Sequence, residues 1–141
     1  MESVAKRPEW LVMSRDTGAD GSICKIAVLG AGAVGCYYGA MLARAGHRVT
    51  IIARPARVEA IKQRGLTLEF AGHSESIQVE ATTSAAWSGE ADLVLICVKS
   101  DDTEEAGREI AEAMGKDAVV LCLQNGLDNA ARLEAVIKRP V

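Results

Sequence analysis

The segment Lys25–Gly46, KIAVLGAGAVGCYYGAMLARAG, decides how this chain is read. An apolar run, Ile26-Ala27-Val28-Leu29, stops at Gly30-Ala31-Gly32-Ala33-Val34-Gly35, and a helical pattern follows at once. That order is what a dinucleotide-binding turn requires. Gly30 permits the tight turn off the strand, Gly32 lets backbone approach a pyrophosphate, and Gly35 lets the helix pack close to the sheet. The helix N-terminus then aims its free N–H groups at the phosphates. No Asp or Glu occurs from Ala33 to Ala45, although acids favour a first turn, and the only charge, Arg44, sits near the C-terminal end. An empty positive pole suits a helix whose missing negative charge comes from a bound phosphate. Gly39 lies four residues after Gly35 on the same face and brings backbone near the sheet again. The plainer alternative for these glycines is a structural turn without a ligand.

Outward from this segment, strands and helices alternate. His47–Ala53 is rich in β-branched residues and reads as a second strand, closed by Arg54-Pro55. Ala56–Arg64 has a helical pattern, with Pro55 suited to its first turn and Gly65 to its C-terminal cap. Leu66–Phe70 and Ile77–Ala81 flank Ala71-Gly72-His73-Ser74 and read as a hairpin. Ala91–Val98 holds a continuous apolar run of the kind buried on both faces. A helix from Ser100 to about Met114, a buried strand Ala118–Leu123 and a helix Leu127–Lys138 complete the series. Such alternation predicts an α/β fold: a Rossmann-type, doubly wound, mostly parallel sheet over residues 25–141. Tyr37, Tyr38, Met41 and Leu42 have core spacing on the first helix, and Trp87 covers the sheet.

Composition sets the bounds. The chain has 141 residues, 49% apolar and 25% charged, with a net charge of −3, which gives no basic surface for nucleic acid. No apolar run reaches the roughly 20 residues that span a bilayer. Met1–Ser22 mixes acids and bases without a continuous apolar core, so it fits neither a secretory signal nor a transit peptide. Residues 1–24 read as a disordered leader, in which Trp10, Leu11, Val12 and Met13 have the composition for local docking. Cys24, Cys36, Cys97 and Cys122 include no CxxC pair and no zinc spacing with His47 or His73. They read as reduced thiols in a cytoplasmic setting, and no metal site is expected.

Ligands on parallel sheets bind at the carboxyl ends of the strands, so the residues following each strand are the candidates. An acid about 20 residues past the glycines would accept the ribose 2′-OH of NADH, and this chain has Arg54 there instead, with Arg57 one turn on. A guanidinium pairs with a 2′-phosphate, which favours NADPH. Lys99 follows the central apolar strand, either as a cofactor contact or as a solvated cation. Gln124-Asn125-Gly126 reads equally as a turn or as a ligand-orienting amide. The helix after Lys99 already carries Asp101, Asp102, Glu104 and Glu105, so it is not a second phosphate site.

Four segments together resemble the N-terminal half of the ketopantoate reductase (2-dehydropantoate 2-reductase) family: KIAVLGAGAVGCYYGAMLARAGHRVTIIAR, RGLTLEF, DLVLICVKS and LCLQNGLDN. The resemblance implies that Gly30, Ala31, Gly32, Ala33, Val34 and Gly35 wrap the NADPH pyrophosphate and that Arg54 holds the 2′-phosphate. It implies that Lys99 contacts the cofactor and that Asn125 touches both the nicotinamide side and the ketoacid. The family reduces the ketone of 2-dehydropantoate by hydride transfer, in pantothenate and coenzyme A synthesis. Its proton-donating lysine belongs to a helical C-terminal domain that is absent from this chain, so no catalytic residue is assigned. The expectation is therefore an NADPH-binding domain, incomplete at its C-terminal edge, with negligible turnover on its own. It would act on a small-molecule 2-ketoacid together with that missing domain, without nucleic acid or membrane, as a monomer or homo-oligomer. The alternatives are a nucleotide-sensing module or a reductase of another 2-ketoacid.

Overall fold

A computed structural model of the protein describes residues 22–141. The expected leader, save Ser22, Ile23 and Cys24, lies outside the described residues, as do Trp10–Met13. Among the described residues, five parallel strands form the central sheet in the order β5-β2-β1-β6-β7: β1 (Lys25–Leu29), β2 (Arg48–Ile52), β5 (Glu80–Thr82), β6 (Leu93–Ile96) and β7 (Val119–Cys122). Helices α1 (Ala33–Arg44) and α2 (Pro55–Arg64) belong to one layer, and α3 (Thr103–Ala111) and α4 (Asn129–Ile137) to the other. This is the Rossmann-like α/β fold expected. The strand order reverses between β1 and β6, and the crevice at that switch point is where such sheets bind ligands.

Alternation along the strands builds two cores. Ile26, Val28, Val49, Ile51 and Leu95 face α1 and α2, whereas Ala27, Leu29, Val94, Ile96 and Val120 face α3 and α4, where Ile110 and Leu133 are fully buried. Trp87, on a 3-10 turn (Ala85–Glu90), packs against the second core as a partial cover. The small residues Gly35, Gly39 and Ala40 are the buried face of α1. Pro55 opens α2 and Gly65 ends it, with Gly65 N–H donating to Ile61 O at 2.8 Å.

Four expectations need correction. The hairpin pairs β3 (Leu66–Phe70) with β4 (His73–Ile77), not with Ile77–Ala81. Ala71 and Gly72 both have positive φ, 43° and 84°, so a two-residue turn fixes a register that starts immediately at His73. The polar sequence His-Ser-Glu-Ser conceals that strand, and Glu80–Thr82 joins β2 in the main sheet instead. Second, β7 is not buried on both faces: Val120 is covered, but Val119 and Leu121 are 62% and 46% exposed because β7 stands at the end of the strand order. Third, Tyr37 and Tyr38 form an edge-to-face pair on the outer side of α1 rather than core. Fourth, the helix expected from Ser100 begins as a 3-10 turn (Ser100–Asp102), and the last helix begins at Asn129, leaving Leu127 fully exposed.

Candidate cofactor site

A cleft of about 600 Å³ opens at the carboxyl ends of β1, β2 and β6. Its floor is the glycine turn. Gly30 N–H donates to Ile52 O at 3.0 Å, which ties the turn to β2, and Cys97 N–H donates to Leu29 O at 2.8 Å, which holds the end of β1 just before it. Gly30 has φ +103°, and a Cβ there would lie 2.7 Å from Cys97 O and 2.9 Å from Val98 N. Backbone conformation and crowding both exclude a side chain. Gly35 is excluded by packing, since a Cβ would run into Gly30 O and press on Cys97 Cβ.

Gly32 differs from both. It has φ −79°, which any residue adopts, and a Cβ there would meet no protein atom within 4 Å. The missing side chain leaves open space in the cleft and serves no internal packing. That is the shape a pyrophosphate against the backbone would need. Gly32 precedes α1 without a side-chain cap, and the first turn of α1 holds no acid. The unpaired N–H groups and positive pole of a helix end are thus presented to the cleft. The residues present fit a dinucleotide phosphate.

The cleft is lined by Gly30, Ala31 and Gly32 from the turn, Arg54 and Arg57 after β2, and Val98 and Lys99 after β6. Among the expected site residues, Ala33, Val34 and Gly35 begin α1 beside the cleft without lining it. Asn125 also lies outside the lining, on the loop after β7, next to Ser100: Ser100 Oγ donates to Asn125 O at 3.1 Å. Arg54 is 87% exposed and lies 3.9 Å from Asp102 Oδ2, so a carboxylate from the far wall stands beside the expected 2′-phosphate contact. Glu105 and Glu109 line that same wall. Cys97 also lines the cleft, and burial of its thiol, reinforced by Cys122 and Cys36, pushes its pKa up to about 12. It is a protonated packing group at neutral pH.

Sequence reasoning missed a polar lattice that ties the two loops beyond β6 and β7. Gln124 Nε2 donates to Val98 O at 2.9 Å and Thr103 Oγ1 at 2.8 Å. Arg132 grips Glu104 with two bonds of 2.7 Å and donates to Ser100 O at 2.9 Å. Those bonds hold the Glu104 carboxyl below the usual glutamate range. Asn129, 1% exposed, lies at the centre. The signal available was an amide four residues beyond Asn125, at the start of an apolar helix.

The family model described as "Ketopantoate reductase PanE/ApbA" matches residues 26–141. The chain belongs to the ketopantoate reductase family. It is 38% identical over 117 residues to the 2-dehydropantoate 2-reductase of Pyrococcus horikoshii, covering 83% of this chain and 38% of that one. A crystal structure of a PanE/ApbA family ketopantoate reductase from Ralstonia eutropha JMP134 superposes with TM-score 0.78 at 50% identity, covering 83% of this chain and 39% of that one. A ternary structure of D-mandelate dehydrogenase with NADH and anilino(oxo)acetate superposes with TM-score 0.71 at 32% identity, covering 79% of this chain and 37% of that one. The chain thus spans under two fifths of the length of these relatives. Ketopantoate reductases are NADP-dependent oxidoreductases, and their N-terminal Rossmann domain is the nucleotide-binding part. Among the described residues no helix is long and apolar enough to cross a membrane.

Proposed function

We propose that this chain is the NADPH-binding domain of a 2-dehydropantoate 2-reductase-like enzyme of the cytoplasm, acting on a small 2-ketoacid. The observation that carries the reading is Gly32, a glycine that no protein contact requires, at the uncapped N-terminus of a helix without first-turn acids. In this reading the turn Gly30–Gly35 holds the pyrophosphate, Arg54 the 2′-phosphate, Lys99 the cofactor along the cleft, and Asn125 the nicotinamide side and the ketoacid. Bound NADPH would supply the hydride. The chain's own residues bind and orient the cofactor, and we assign none of them as proton donor. Ketone reduction needs a positioned substrate and a proton source together. The chain alone therefore binds cofactor with negligible turnover, whether monomeric or homo-oligomeric.

Titration calorimetry with NADPH and NADH tests this. Arg54→Ala is expected to weaken NADPH about tenfold, the loss of one charge-assisted contact, and to leave NADH unchanged. An unchanged NADPH affinity removes Arg54 from the site, and brisk ketopantoate-dependent NADPH oxidation by the pure chain overturns the claim of inactivity. A second reading, reduction of a different 2-ketoacid, is favoured by the likeness to D-mandelate dehydrogenase holding anilino(oxo)acetate. Comparing ketoacids with the full-length enzyme separates the two.

A further inference from the structure

We propose that Asn129, acting with Ser100, is the positioning residue that fixes Asn125 for the nicotinamide end of the cofactor. The inference rests on the reading of Asn125 given above. Asn129 Nδ2 donates to Asn125 O at 2.6 Å and to Ser100 Oγ at 3.1 Å, and Ser100 Oγ donates to Asn125 O at 3.1 Å. Three groups thus close a ring around one backbone carbonyl. The amide orientation follows from chemistry: a carbonyl only accepts, so the nitrogen faces Asn125. A guanidinium only donates, so the oxygen receives Arg132 Nη1, at 3.2 Å. Thr103 Oγ1 lies 3.3 Å from the same oxygen. One buried carboxamide therefore joins the loop after β6, the start of α3, the loop after β7 and α4.

Two further observations give this ring a purpose beyond filling space. Gly126 has φ +117°, and a Cβ there would come within 2.9 Å of Asn129 Nδ2. The glycine after Asn125 is required both by its backbone and by the approach of the Asn129 amide. Meanwhile the Asn125 side chain is exposed and has no hydrogen-bond partner among the described residues. Its backbone is tied twice while its own amide is left available, next to Ser100 and so beside Lys99 of the cleft wall. A ligand-orienting group needs this combination of a rigid base and an unoccupied head. A satisfied buried polar network supplies the rigidity.

The test is calorimetry of the full chain with two ligands, NADPH and adenosine 2′,5′-bisphosphate, which carries the 2′-phosphate but no nicotinamide. Asn129→Ala and Ser100→Ala are each expected to weaken NADPH about fivefold, the worth of one neutral hydrogen bond. Both should leave adenosine 2′,5′-bisphosphate within twofold, and neither should weaken NADPH further in an Asn125→Ala background. If Asn129→Ala does not fold, the partly exposed Ser100→Ala decides. Equal weakening of both ligands, no weakening of NADPH, or a loss that persists without the Asn125 amide each overturn the proposal. If the wild-type chain binds neither ligand, the cofactor reading fails and this inference with it. Wild-type binding with indifferent variants defeats the inference alone.

Discussion

Arg54 stands at the mouth of the cleft with its guanidinium mostly in solvent, and its ionic neighbour is Asp102 at 3.9 Å. So long and exposed a pair contributes little to folding. For an anionic ligand it matters more, because a 2′-phosphate on Arg54 must share its surroundings with that carboxylate. Asp102→Asn is expected to tighten NADPH two- to threefold at low ionic strength and to leave NADH alone, with the gain shrinking as salt is added. A titration series in sodium chloride reads this directly, and a weaker NADPH affinity in the variant would show that Asp102 orients Arg54 instead. The guanidinium was legible in the sequence because it follows a β-branched strand at a fixed offset from the glycines. Its carboxylate neighbour was not, because the pair joins residues far apart in the chain that only the sheet order brings together.

Elements meet at this site through side chains more than through apolar contact alone. Helices α3 and α4 share Ile110 and Leu133, and Arg132 of α4 also bonds Glu104 of α3 beside the loops after β6 and β7. The Glu104 carboxyl titrates below its ordinary value, chiefly because Arg132 donates to it. A group depressed in the folded state lends stability above its unfolded pKa and loses it as pH falls through the folded one. Wild type is therefore expected to melt above Glu104→Gln at neutral pH, with the two converging in acid below the normal glutamate range. Parallel melts across that range check the sign, and a gap that widened in acid would remove Glu104 from the account. The sequence announced both helices through their apolar spacing, yet not this ion pair between them. It also announced a hairpin but misplaced its second strand, since turn geometry rather than hydrophobic alternation sets that register.

Across the molecule, the sheet is covered unevenly. Layers of helices flank β1 and β2, whereas β7 has Val119 and Leu121 open on one face and, among the described residues, pairs only with β6. An edge strand with an apolar face invites association. Leu121→Lys is expected to lower self-association at high concentration without altering NADPH affinity, as sedimentation velocity and calorimetry can report; unchanged sedimentation would show that this face does not drive contact. The parallel architecture was legible from alternating strands and helices, and the exposure of β7 was not, because an apolar run reads alike whether one face or both are buried. The tie of Gly30 to the end of β2, with Cys97 packed against its other side, has a kinetic meaning as well. On the function proposed above, a cradle finished by the hydrogen bonds of the sheet itself would already be in shape when a nucleotide first met it, and capture would then wait on diffusion and orientation rather than on a loop finding its form.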